Sequence, residues 1–122
     1  MKVLFLDDSE NRWGYFKKRF PTAEWVRTAE DAIESLRAHQ YKEVWLDFDL
    51  HRYRPGMSKN ETGNGMDVVH WIERNPEEVS KETQFVVHST HAIKGDKMYK
   101  HLKKIGFPTR RIEFGSLMYM AP

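Results

Sequence analysis

Three short apolar runs in this chain each stop on side chains able to hold a metal or move a proton, and that coincidence constrains the fold more than any other feature. The stretch Glu43-Val-Trp-Leu-Asp-Phe-Asp-Leu50 opens with strand-forming residues and ends in Asp47 and Asp49. Val44, Trp45 and Leu46 read as a buried strand. An unpaired charge inside a sheet is too costly, so the two acids belong at its solvent mouth. Their residue-skipping spacing leans both to one side if the strand continues. The N-terminal run Lys2-Val-Leu-Phe-Leu6 leads straight into Asp7 and Asp8, and Phe85-Val86-Val87 leads into His88, Ser89 and Thr90. Three such endings imply one site along one edge of a sheet.

Between these strands the sequence carries helical punctuation. After a first strand from Val3 to Leu6, Ser9 offers an N-cap, and Trp13, Phe16 and Phe20 trace an apolar stripe that Pro21 ends. Glu24 to Arg27 reads as a short second strand. Thr28 with Asp31 three residues on is a capping-box variant, and Ala29, Ala32, Ile33 and Leu36 share one face of the helix that follows. A third helix starts near Gly65, capped by Asn64 with Asp67, and turns Val68, Val69 and Ile72 inward before Pro76. A fourth spans about Lys94 to Ile105, with Lys103 and Lys104 in its last turn, Gly106 at the C-cap and Pro108 beyond. Arg111 to Phe114 is expected as a fifth strand.

This β/α alternation, with near-continuously apolar strands, implies a parallel sheet covered by helices on both faces. Ligands of such sheets bind beyond the carboxyl ends of the strands, at the switch point. Asp7, Asp8, Asp47, Asp49 and His88 all fall there. From His51 to Asn64 the chain is polar, holds Pro55, Gly56 and Gly63 and shows no periodicity, a connection of a length usually functional or mobile.

A length of 122 residues suits one domain over residues 1–122, with the 51–64 segment as a long active-site loop. The formal net charge of +2, with both signs interspersed, argues against a dedicated nucleic-acid binder. There is no cysteine, so thiol chemistry is excluded. No apolar run approaches a membrane span, and the residues before Asp7 are too few for a signal-peptide core, so a cytoplasmic protein without membrane contact is expected.

Converging carboxylates repel one another unless a cation neutralises them. Ligation by Asp7, Asp8 and Asp47 favours Mg²⁺ or Ca²⁺, whereas adding His88 turns preference toward Mn²⁺ or Zn²⁺. His88 suits proton transfer near neutral pH. Ser89 and Thr90, the start of the fourth helix and Lys94 on it are candidate phosphate contacts. In the loop, Arg52 and Arg54 are placed to hold phosphate and Tyr53 to stack on a base, with Lys59 nearby. Each feature has a plainer reading. Asp8 and Ser9 suffice to cap a helix, the loop suffices as a solvated connection, and His39, His70 and His101 suit helix surfaces.

The order of these blocks resembles the response-regulator receiver domain: Asp7-Asp8 after the first strand, Asp47 after the third and Ser89-Thr90 after the fourth. A closer resemblance is to the receiver-like branch called the cyclic-phosphate processing receiver domain. It rests on Leu6-Asp7-Asp8, Leu46-Asp47-Phe48-Asp49-Leu50, Gly65-Met-Asp-Val-Val-His-Trp-Ile72, Val87-His88-Ser89 and Gly95-Asp96-Lys97-Met98. The chain departs from that pattern at Phe48, where His is usual, and at Thr90-His91, where Ala-Asn is usual. It departs from ordinary receivers at Phe114-Gly115-Ser116, where a lysine is missing.

The resemblance implies a flavodoxin-like or receiver-like three-layer α/β sandwich with a five-stranded parallel sheet of order 2-1-3-4-5 and a missing or reduced last helix. It also implies a metal-dependent phosphoesterase that hydrolyses a cyclic phosphate or cyclic nucleotide, with Mg²⁺ foremost and Mn²⁺ or Zn²⁺ as alternatives. Asp47, His88 and Asp49 are then the catalytic candidates. Two other classes stay open: a signalling receiver phosphorylated on Asp47, and a non-catalytic module binding a nucleotide or protein. Without a fifth helix part of a sheet face needs cover, and Leu117 to Met120 can supply it either in cis or across a homodimer, two alternatives that stay open.

Overall fold

A computed structural model describes residues 2–50, 63–89 and 92–113. Strands β1 (Val3–Leu6), β2 (Glu24–Val26), β3 (Glu43–Leu46), β4 (Gln84–Val87) and β5 (Thr109–Arg111) alternate with helices α1 (Glu10–Arg19), α2 (Ala29–Ala38), α3 (Gly65–Arg74) and α4 (Ala92–Ile105). The strands form one all-parallel sheet in the order β2-β1-β3-β4-β5. The chain reverses direction across the sheet between β1 and β3, the switch point of a doubly wound fold.

Local chemistry fixes the helix starts. Ser9 accepts from the Arg12 amide, and Thr28 accepts from the Asp31 amide at 3.0 Å. Asn64 and Asp67 close a reciprocal capping box at α3, satisfying two amides that a helix N-terminus otherwise leaves unpaired. The fifth strand lies earlier than the sequence suggests, at Thr109–Arg111. The Phe85 amide bonds the Pro108 carbonyl at 2.8 Å, which sets the pairing register directly after the turn at Gly106 and Phe107.

The two sheet faces are covered unequally. Leu4, Leu6, Val44, Leu46, Phe85 and Val87 pack against α2, α3 and α4 in the larger core. On the other face Phe5, Trp45 and Val86 meet Phe16 of α1, flanked by Trp13, Phe20 and Trp25. The expectation of helices on both faces therefore holds with three on one side and, among the described residues, α1 alone on the other. Phe5 stacks on Phe16 with centroids 4.1 Å apart, and Trp13 stacks on Trp25 at 5.4 Å. These aromatic contacts pin α1 beside the ends of β1 and β2. Among the described residues, no helix is long and apolar enough to cross a membrane. The segment from Leu117 to Met120 and the end of the expected fifth strand, from Phe114, lie outside the described residues.

Candidate functional site

The parallel ladder runs one residue past three strand ends, and that extra step builds the site. The Asp7 amide bonds Val26 O at 3.1 Å, the Asp47 amide bonds Leu6 O at 3.2 Å, and the His88 amide bonds Leu46 O at 3.0 Å. Asp7, Asp47 and His88 are thus neighbours in one row. Each lies two positions beyond Phe5, Trp45 or Val86, so strand alternation turns all three toward the face that α1 covers. Asp8 follows at the turn into α1. The carboxylates of Asp7, Asp8 and Asp47 converge, with one oxygen of each within 4.8 Å of the others.

Asp7 is fully buried and richly bonded. Its Oδ1 accepts from the Ser9 amide at 2.9 Å and from Arg12 Nη2 at 2.8 Å, and its Oδ2 accepts from Arg12 Nε at 2.7 Å. The same guanidinium lies 3.5 Å from Asp47 Oδ2 and 3.8 Å from Asp8 Oδ1. The hydrogen bond to Asp7 is the main cause holding the Arg12 pKa above its ordinary value. Among the described residues Asp47 has no equally close partner of this kind. Burial first, then the charge of Asp7, push its pKa up to about 7, with Asp49 and Asp8 adding and Arg12 opposing.

His88 lies one layer deeper. Its ring stacks on Phe5 at 5.0 Å and tilts against Trp45, its Nε2 donates to the Leu6 carbonyl at 3.3 Å, and its Nδ1 is 3.7 Å from Asp7 Oδ2. With only 1 % of its side chain exposed, burial pushes its pKa down to about 4 against the pull of Asp7. The ring is neutral at pH 7 and touches the site from behind Asp7, away from the mouth.

Of the remaining sequence candidates, Asp49 is half-buried and within charge reach of Asp47, Ser89 is buried beside His88, and Lys94 is half-buried in the first turn of α4. The Lys94 ammonium stands 6.0 Å from the Phe48 ring centre. Arg52, Tyr53, Arg54, Lys59, Thr90 and His91 lie outside the described residues. His101 pairs with Glu73 on the far side of α3 and α4, as a helix-surface histidine does.

Two contributors escaped the sequence reading. Trp25 Nε1 donates to the Asp7 carbonyl at 2.7 Å and ties β2 to the acidic turn. Arg12 was legible in principle: it is the third residue after the Ser9 cap, and helical side chains lean toward the N-terminus, where the acids stand.

Three carboxylates on a protein-walled edge form an all-oxygen donor set that suits a hard divalent cation. Burial, and after it the charge of Asp7, hold the Asp47 pKa near 7, and a cation placed among these carboxylates would relieve the second of those causes. The residues present therefore fit a divalent metal.

The parallel order, the switch point and the acidic carboxyl edge define a receiver fold. Solved structures agree at 13–21 % identity, a level that establishes the fold alone. The HemR receiver domain of Leptospira biflexa is 18 % identical with a TM-score of 0.64, over 99 % of this chain and 96 % of that one. A CheY-like receiver domain of Methylobacillus flagellatus is 19 % identical with a TM-score of 0.63, over 93 % and 85 %. The response regulator TrrA of Thermotoga maritima, solved with Mg²⁺ and BeF, is 16 % identical with a TM-score of 0.60, over 92 % and 84 %. No curated protein matches the sequence. The family model of the cyclic-phosphate processing receiver domain matches residues 2–104, and the chain belongs to that family.

Proposed function

We propose that this chain opens a cyclic phosphodiester by hydrolysis at the acidic carboxyl edge of the sheet, with a divalent metal, Mg²⁺ foremost. The observation that carries the reading is the convergence of Asp7, Asp8 and Asp47 in a member of this family. Asp7, Asp8 and Asp47 would hold the metal, whose contribution when bound is Lewis acidity toward a phosphoryl oxygen. Asp49, half-buried beside Asp47, carries the proton. The overall change forms one P–O bond from water and breaks one P–O bond of the ring, and the water proton ends on the departing ring alkoxide. Lys94 and Ser89 orient the anion from the α4 side. His88 acts as a positioning residue: its ring backs Asp7 and fills the space beneath it. In cyclic nucleotides the second ring oxygen remains ester-linked, so the product is a phosphomonoester.

A second reading is a receiver in which Asp47 accepts a phosphoryl group. It is favoured by the fold and by one similar structure, a response regulator of Burkholderia pseudomallei that carries a phosphorylated aspartic acid and a calcium ion. One experiment separates the two. The protein is incubated with Mg²⁺, Mn²⁺ or Zn²⁺ and a panel of cyclic mononucleotides, cyclic dinucleotides and cyclic sugar phosphates, beside a sample treated with acetyl phosphate. Phosphomonoester release that is lost in Asp47→Asn supports hydrolysis. An acid-labile adduct on Asp47 without turnover supports the receiver.

A further inference from the structure

Arg12 makes contacts unlike those of any other cation among the described residues. Its guanidinium holds Asp7 in a two-toothed grip at 2.7 and 2.8 Å and also reaches Asp47 and Asp8 at 3.5 and 3.8 Å. Arg27, the other arginine near the turn, is engaged elsewhere: with the Asp8 carbonyl at 3.5 Å, with Glu10 at 3.7 Å, and over the Trp25 ring at 4.7 Å. Arg12 therefore occupies the centre of the acidic cluster.

We propose that Arg12 is a built-in counter-cation of the acidic site, one that a divalent metal must displace from Asp7 in order to bind. The inference rests on the metal reading given above and concerns what that metal meets on arrival. Both oxygens of Asp7 already accept from Arg12. A hard divalent ion sits about 2.0–2.6 Å from a carboxylate oxygen, so ion and guanidinium sharing Asp7 Oδ2 would lie within about 5 Å, repelling each other and competing for the same carboxylate charge. One of them must leave.

The exchange is feasible on both sides. Arg12 is 36 % exposed and sits in the first turn of α1, so its long side chain has solvent to enter without unfolding the helix. Its hold is also partial. Among the described residues its guanidinium donates hydrogen bonds to Asp7, whereas its contacts to Asp47 and Asp8 are longer ion pairs, which leaves carboxylate charge for a cation of higher valence. Asp7 keeps its Ser9 amide bond through the exchange, so the ligand stays oriented.

The test is a calorimetric Mg²⁺ titration of the full chain as wild type, Arg12→Met and Arg12→Lys. Losing the competitor should tighten Mg²⁺ binding by about tenfold or more in Arg12→Met, with Arg12→Lys in between because lysine keeps the charge and loses the fork. A second readout is the Arg12 Nε–H resonance of the ¹⁵N-labelled wild type. It should be shifted and slow to exchange without metal and return toward the free-arginine position as Mg²⁺ saturates. If Arg12→Met fails to fold, the lysine variant and the resonance still decide. Affinity unchanged or weaker in the folded variants, or a resonance unmoved by saturating Mg²⁺, overturns the exchange while leaving metal binding intact. No Mg²⁺ uptake by any of the proteins removes the metal reading and this inference with it.

Discussion

Replacing Asp47 with asparagine should stabilise the metal-free protein at alkaline pH. Only 7 % of the Asp47 side chain is exposed, and its pKa rises from 3.8 to about 7, chiefly through burial and then through the charge of Asp7. A folded-state pKa raised above the unfolded one means that the folded protein binds the proton more tightly. The associated stability is full below about pH 4 and is lost as pH climbs through 7. At about 1.4 kcal/mol per pH unit, the ionised carboxylate costs the fold at most about 4 kcal/mol by pH 8, and relaxation trims that toward about 2. Asparagine keeps the shape and removes the charge.

Urea denaturation in EDTA at pH 8 should therefore place the Asp47→Asn midpoint about 1–2 M above wild type, for a slope of about 1–3 kcal/mol per M. At pH 4 the midpoints should converge. Saturating Mg²⁺ at pH 8 should narrow or reverse the gap, because a ligand that binds only the folded state stabilises the protein that keeps its ligand set. An Asp47→Asn protein no more stable than wild type at pH 8 in EDTA would refute the argument that this carboxylate is held under electrostatic strain.

Three further outcomes follow from the same geometry. Mg²⁺ affinity should rise with pH and level off above about 7, as Asp47 loses the proton that competes with metal; a flat profile in calorimetry between pH 6 and 8 would count against Asp47 as a ligand. Gly65→Ala should destabilise the protein by about 2–3 kcal/mol in urea melts and weaken the site, since the added methyl would collide with the Asp47 carbonyl and stand 2.8 Å from Met98 Cε; a loss under about 0.5 kcal/mol would contradict the packing. His88 has a depressed pKa, so its stability contribution is present above the unfolded value near 6.5 and disappears as pH falls through about 4; His88→Gln should flatten the acid limb of a thermal melt series across that window, and an unchanged limb would exclude His88 as the cause.

What the sequence discloses about this protein depends on how local the determining interaction is. The caps at Ser9, Thr28 and Asn64 act within three residues, and each helix starts where its cap predicts. The acids after β1 and β3 were legible because charge cannot end a buried strand anywhere except at its mouth. The depth of His88 is not a local property. Its position at a strand end is local, but its burial depends on Phe5, Trp45 and α1 closing over it, contacts that span most of the chain. Trp25 has the same limit, since it reaches the acidic turn only once β2 has docked beside β1, whereas the reach of Arg12 back to Asp7 spans five residues and is set by the Ser9 cap and the start of α1. The fifth strand shifted because its start is set by the Phe85–Pro108 bond across the sheet, which local propensity does not encode.

The position of the site and the chemistry it performs thus have different origins. Parallel register alone aligns the first residue after β1, β3 and β4, so any sequence with this register sets three side chains in a row at that edge. Which charge state that row adopts is decided from the facing helix. Arg12 projects from the first turn of α1, and the stack of Phe16 on Phe5 holds that helix at the distance where a guanidinium reaches three carboxylates. A substitution that loosens the stack, such as Phe16→Ala, should cost about 3–5 kcal/mol as a buried aromatic truncation and also release Arg12 from Asp7. Remote packing would then change metal affinity without touching a ligand. Tighter Mg²⁺ binding by a folded but destabilised Phe16→Ala protein is the expected result; weaker binding would show that α1 organises the acids themselves rather than the cation opposite them.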